Sequence, residues 1–213
     1  MKLLTALMMV AFWPGLAAAS PETDFWKWFQ KEESKLYAFE SDRDAVFDSL
    51  SEAMQRVNPD LTFEFGPIVK GRREFVISAG GITSAFPAVE SLYRAAPSLP
   101  RWKWTKYRQR RPDLMDISLQ GKTVKADDVR FVMAKDEDKV GIILFFGDYA
   151  ESEKLTFAQI GYLFLDQALG EYAVETQVGF IEFAGHDSSY FDQSSPLSEL
   201  AKRFDNYWKS ESR

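Results

Sequence analysis

The sequence predicts a single α+β domain, a largely antiparallel sheet of about six to eight strands with helices packed on it. Three observations carry that prediction. Residues 140–146 (VGIILFF) are an unbroken apolar run of strand length, as expected where both faces of a sheet are covered. Phe157, Ile160, Gly161, Phe164, Leu165 and Ala168 then keep the spacing of one helical face, and Leu155, Tyr162, Leu163 and Leu169 widen it. This helix should be the most buried one. Gly170 stands where a left-handed C-cap would end it, and residues 178–183 (VGFIEF) return as a strand. Third, Leu61, Phe63 and Phe65 alternate with Thr62 and Glu64, and short hairpin connections recur, which favours antiparallel pairing.

Taken in order, the chain starts with a leader. Lys2 supplies a positive end, residues 3–16 are apolar with Pro14 among them, and Ala17-Ala18-Ala19 offers small residues for cleavage after Ala19. The apolar run is shorter than the roughly 20 residues of a bilayer span. A cleaved signal peptide and a periplasmic or secreted domain at 20–213 are expected, with no stable membrane insertion afterwards.

Ser20-Pro21 caps and starts a first helix, with Phe25, Phe29, Leu36 and Phe39 near one face. Phe25, Trp26, Trp28 and Phe29 cannot all share one side of it, so some of that aromatic surface should meet another body. Ser41, with Asp44 three residues on, is read as the cap of a second helix. That helix carries a stripe from Val46 to Val57 and ends at Asn58-Pro59. Residues 66–72 turn a hairpin whose second strand runs over 74–78. A helix is predicted at about 84–96 with Tyr93 inward. Residues 101–108 are a strand candidate, 117–119 and 122–125 a small hairpin, and 130–134 pairs with 140–146. Leu197, Leu200, Phe204 and Trp208 stripe a final helix. No internal repeat is visible.

The composition restricts the classes of function. The formal charge is −6, and removing the leader's single cation makes it one unit more negative. That argues against a general polyanion binder. The chain has no Cys, so an exported form relies on packing and not on disulfides. Eighteen Phe, eight Tyr and six Trp supply that packing and exclude a disordered chain.

Four motifs invite chemistry. His186 is the only histidine and stands beside Asp187, Ser188 and Ser189, but triad members must converge from separate elements, and the Gly-x-Ser-x-Gly elbow is missing. Gly66 to Gly71 imitates phosphate-loop spacing, yet Arg72-Arg73 replaces Lys-Ser/Thr and Pro67 removes a backbone donor, so a hairpin turn is the reading. Asp136-Glu137-Asp138 begins like a calcium loop, but Val140 stands at a ligand position and the closing Glu is missing; this too reads as a turn. Glu64 with Glu74, or Glu175 with Glu182, would be acid–base pairs only if burial separated their pKa values. No cofactor or metal site is predicted.

The least ordinary stretch is residues 101–111, with six cations and three aromatics in an acidic chain. Trp102, Lys103, Trp104, Lys106, Tyr107 and Arg108 form a candidate contact surface, with Trp26 and Trp28 as a second. Such interleaving suits single-stranded nucleic acid, but an exported protein seldom meets it, so an anionic envelope component or a protein partner is expected. The competing reading is an edge strand whose Trp residues pack inward while Lys and Arg block association.

The segments LTFEFGP, REFVISAGG, AFPAVESL, LPRWKW and LGEYAVETQVGFIEF resemble a bacterial family of uncharacterised proteins across about residues 25–204. That family carries no assigned activity, so the resemblance implies a shared fold and no catalytic residues. The functional expectation is an exported, non-enzymatic domain that binds a macromolecular partner. The alternatives are a hydrolase using carboxylates or His186, and an immunity-like protein that neutralises a toxin.

Overall fold

A computed structural model describes residues 20–211; the predicted leader and cleavage site lie outside the described residues. The α+β class holds, and the strands divide among three sheets of three, two and four. Two of those sheets grow from the same connectivity.

The first unit opens with α1 (Pro21–Tyr37), whose entry is fixed by Ser20 Oγ accepting from Thr23 N at 3.3 Å. Phe25, Trp26, Phe29 and Leu36 are buried, while Trp28 is half-buried. Three of the four clustered aromatics therefore enter the core. The second helix, α2 (Arg43–Gln55), has its N-cap at Asp42, one residue later than predicted, and Ser41 Oγ donates to Ala38 O instead of capping it. Strands β1 (Thr62–Val69) and β2 (Arg72–Ser78) form an antiparallel hairpin closed by Lys70 (φ 51°) and Gly71 (φ 76°). This two-residue loop has positive φ at both positions and suits the strand twist. It is tighter than the predicted 66–72 turn. The crossover helix α3 (Phe86–Arg94) leaves Tyr93 exposed, contrary to the sequence reading, and β3 (Trp102–Lys106) returns parallel to β2.

A small hairpin, β4 (Ile117–Leu119) with β5 (Lys122–Val124), leads to the second unit. There β6 (Arg130–Asp136) and β7 (Lys139–Phe146) pair antiparallel, as the sequence predicts. The crossover consists of α4 (Lys154–Leu169) and α5 (Glu171–Gln177), after which β8 (Val178–Gly185) runs parallel to β7. The short β9 (Ser195–Pro196) joins β6, giving the order β8-β7-β6-β9, and α6 (Leu200–Glu211) closes the chain. Each unit is thus hairpin, helical crossover, parallel strand, with the second hairpin strand in the middle. The repetition is one of topology, which no sequence pattern displays.

Each unit has its own core. The first is aromatic: Phe29 lies 5.3 Å from Phe75 and 4.8 Å from Trp102, and Trp26 lies 4.7 Å from Trp104. In the second, Ile142, Leu144 and Phe146 join Phe157, Ile160, Phe164 and Leu165 of α4 in one buried cluster. Phe145, on the opposite face of β7, is covered by Phe191 at 5.7 Å. Both faces of β7 are therefore dry, which is why its sequence does not alternate.

Candidate functional site

The segment after β3 joins the two units. Tyr107 takes φ 60° and donates its N–H to Ile77 O at 2.7 Å, which turns the chain out of the first sheet. Arg108 O then accepts from Glu171 N at 2.9 Å, and Arg111 N donates to Gln167 O at 2.8 Å. Gly170 lies beneath this crossing with φ 83°; a Cβ there would stand 3.3 Å from Arg110 N and 3.4 Å from Arg108 O. The predicted helix stop is therefore also a point of close backbone approach, and α5 begins directly after it.

Glu171 fastens the junction. Its side chain is completely buried; Oε1 accepts from Ala79 N at 2.9 Å and from Gly81 N at 3.4 Å, and Oε2 accepts from Arg108 N at 2.9 Å. Three backbone donors satisfy one carboxylate where water is excluded, as burial of a charge requires.

Beside this latch lies a cleft of about 380 Å³ between the units. The polar face of the first sheet contributes Glu64 and Glu74, α4 contributes Asp166 and Gln167, and the joining segment contributes Arg108 and Arg111. Phe65, Met115 and Leu163 supply apolar wall. Arg108 bridges the units, with Nε donating to Glu64 Oε1 at 2.6 Å and Nη1 to Asp166 Oδ2 at 3.2 Å. Burial works against the Arg108 charge, but Glu64 and Asp166 outweigh it and hold the proton more firmly. Burial also pushes the Asp166 carboxyl up to about 7, Glu171 and Glu175 add to the rise, and Arg108 opposes it. For Glu74 burial is likewise the largest influence, yet Lys103 at 2.7 Å and Thr105 at 2.5 Å keep it below its usual range.

The residues of the predicted contact surface do not share one exposed face. Trp102 is fully buried and stacks on the half-buried Trp104 at 5.6 Å. Their ring N–H groups donate to Glu33 at 3.1 Å and Pro97 O at 2.7 Å. Tyr107 and Trp26 are buried too, and Trp28 lies between α1 and α2. The cations have internal partners: Lys103 with Glu74, Lys106 with Glu90 at 2.7 Å, and Arg108 with Glu64 and Asp166. Carboxylates distant in sequence neutralise this strand, which explains its basic character in an acidic chain. Arg108 is the member that reaches the cleft.

Of the other candidates, Glu64 and Glu74 do meet at the cleft. Glu175 lies against Gly81 at the junction, whereas Glu182 is exposed on β8. His186 stacks on Phe191 at 4.1 Å, away from the cleft, and the neighbouring Ser188 Oγ accepts from Tyr190 N at 3.4 Å. Residues 66–69 belong to β1 and only 70–71 make the β1–β2 loop, while 137–138 make the β6–β7 turn. No group of three or more metal-ligating side chains converges among the described residues, and no helix among them is long and apolar enough to cross a membrane. The sequence reading passed over Asp166 and Glu171, and counted Arg111 only among the cations of residues 101–111. One signal was available: after Lys154, Asp166 is the single charged residue of a largely apolar helix.

No family model, curated protein or solved structure matches the chain. The functional reading accordingly rests on the geometry of the cleft.

Proposed function

We propose that the chain is an exported, non-catalytic binding domain whose cleft receives an anionic group of its partner, a carboxylate or a phosphate. One observation carries the reading. The single side-chain hydrogen bond of Arg111 among the described residues goes to the Met115 sulfur at 3.5 Å, and a thioether is a weak acceptor. An exposed guanidinium at the mouth of a partly apolar concavity thereby makes no hydrogen bond to a carboxylate among the described residues, and its charge acts on Glu74 across the cleft. Partial protonation of Asp166 near neutral pH lessens the negative charge an anion would meet there. The composition of residues 1–19 supports export, and fractionation of the full-length protein with its leader intact or scrambled tests it.

Titrating the labelled protein with inorganic phosphate and with acetate, read by amide and guanidinium shifts, tests the cleft. Saturable shifts in residues 108–111 and 166–167 that vanish in Arg111→Ala are expected. Shifts that are absent, or that persist in the variant, overturn the reading.

A hydrolytic role has one observation in its favour, the Asp166 carboxyl near 7 beside Glu64, since a general acid or base works best with its pKa near the operating pH. Turnover of p-nitrophenyl esters or glycosides that is lost in Asp166→Asn would replace binding with catalysis.

A further inference from the structure

The free edges of the sheets are not treated alike. An exposed strand edge invites pairing with another chain, and proteins normally defend it with short length, Pro, Lys or a bulge. In the first unit β1 has Pro67 and a register shift between Phe65 and Ile68, and β3 has Lys103 and Lys106 in five residues. In the second unit β9 is two residues long and contains Pro196. In the two larger sheets the remaining edge is β8, eight residues (VGFIEFAG) with no Pro, Lys or Arg; its register against β7 shifts between Val178 and Ile181 and is regular from Ile181 to Gly185. It bonds β7 along one side only, and Gly179, Phe180 and Glu182 are exposed.

A groove of about 890 Å³ runs between this strand and the first half of α4. Leu155, 81% exposed, and Tyr162, 43% exposed, form its apolar rim. Its charges are Glu151, Glu182 and Asp187 against Lys154, and Lys154 is already paired to Glu151 at 3.2 Å. An added strand would take main-chain hydrogen bonds from β8 and set alternate side chains into the groove.

We propose that β8 is a docking edge for an extended basic segment of a partner polypeptide, one alternating apolar residues with Lys or Arg. This inference stands apart from the cleft. The acidic rim selects the sign of the partner's charge, and it disfavours a second copy of this chain, which would bring Glu182 of each molecule together.

Three synthetic octapeptides test it on the protein comprising residues 20–213: alternating Val and Lys, the same with N-methylated alternate amides, and alternating Val and Glu. Amide exchange and shifts over residues 178–185 are the readout, at low salt. The Val/Lys peptide should slow exchange in β8, with the N-methylated form inactive and the Val/Glu form about tenfold weaker. Glu182→Lys, which neutralises the groove, should abolish that preference and Leu155→Ser should weaken binding; both positions are exposed, so folding is retained. No protection of β8, or equal protection by the N-methylated peptide, overturns the proposal. So does protection that rises with protein concentration in the absence of peptide, alongside a dimer in sedimentation, because the occupant is then a second copy.

Discussion

The two units share a connectivity and differ in how they use the second face of the sheet. In the middle strand of the first, Phe75 and Ile77 enter the core while Glu74 and Val76 line the cleft. In the middle strand of the second, Ile142, Leu144 and Phe146 meet α4, and Phe145 is sealed by Phe191. One topological position therefore carries polar alternation in one unit and an unbroken apolar run in the other. What decides is whether protein or solvent-filled cleft lies on the far face. The polar face of the first unit can hold Glu64 and Glu74 because Arg108, Lys103 and Thr105 satisfy them.

The largest effects should come from emptying the two cores in parallel. Phe75→Ala and Phe146→Ala each remove a ring that is buried and surrounded by other rings, at a cost of roughly 3–5 kcal/mol. Urea unfolding followed by Trp fluorescence reports chiefly on the first unit, since Trp26, Trp28, Trp102 and Trp104 all lie there. Far-UV circular dichroism reports on both. If the units fold as one body, Phe146→Ala moves the fluorescence midpoint as far as the dichroism midpoint. Two separated midpoints would show that the units unfold independently and that the junction is weak.

A smaller effect is expected at the latch. Glu171→Gln keeps the shape but puts an NH2 group against a backbone donor in either amide orientation, since Oε1 and Oε2 both accept from N–H groups. A buried donor left unmatched costs about 1–3 kcal/mol. The loss should appear as decoupling, with the fluorescence and dichroism transitions drawing apart. Coincident transitions at an unchanged midpoint would mean that the joining segment, not Glu171, holds the units together.

What was legible in the chain follows the same division. The run at 140–146, the helix after it and the 178–183 strand stand out because their neighbours in space are also close in sequence. The edge character of β3 was legible as an alternative, since alternation put both Trp residues on one face. The partners of its cations were not, because Glu33, Glu74 and Glu90 come from α1, β2 and α3. The helix α5 was hidden because Gly170, read as a stop, also begins it. The cleft was hidden for a similar reason: it draws on β1, β2, the joining segment and α4, which no local pattern connects. The duplicated topology escaped notice because crossovers of different length and cores of different composition carry it.

The finest test concerns the charge state of Asp166. Its carboxyl is raised from an ordinary 3.8 to about 7, by burial first and by Glu171 and Glu175 second. Between those values the folded protein holds a proton that the unfolded chain has released. The stabilisation is complete below the lower value and is lost as pH rises through the upper one, with a slope of at most about 1.4 kcal/mol per pH unit. Lowered carboxylates such as Glu74 and Glu90 act with the opposite sign in more acid solution, so the informative quantity is the difference between wild type and Asp166→Asn. The Asn keeps an acceptor for Arg108 Nη1 and removes the titration. Urea midpoints measured across the window should show the wild type losing stability relative to the Asn variant as pH rises, with the change levelling off above about 7. A difference that stays flat would mean Asp166 is charged throughout and that Glu64, Arg108 and Asp166 form a permanent ionic bridge. The cleft would then present one more negative charge to any incoming anion, and the case for Arg111 as its receptor would weaken with it.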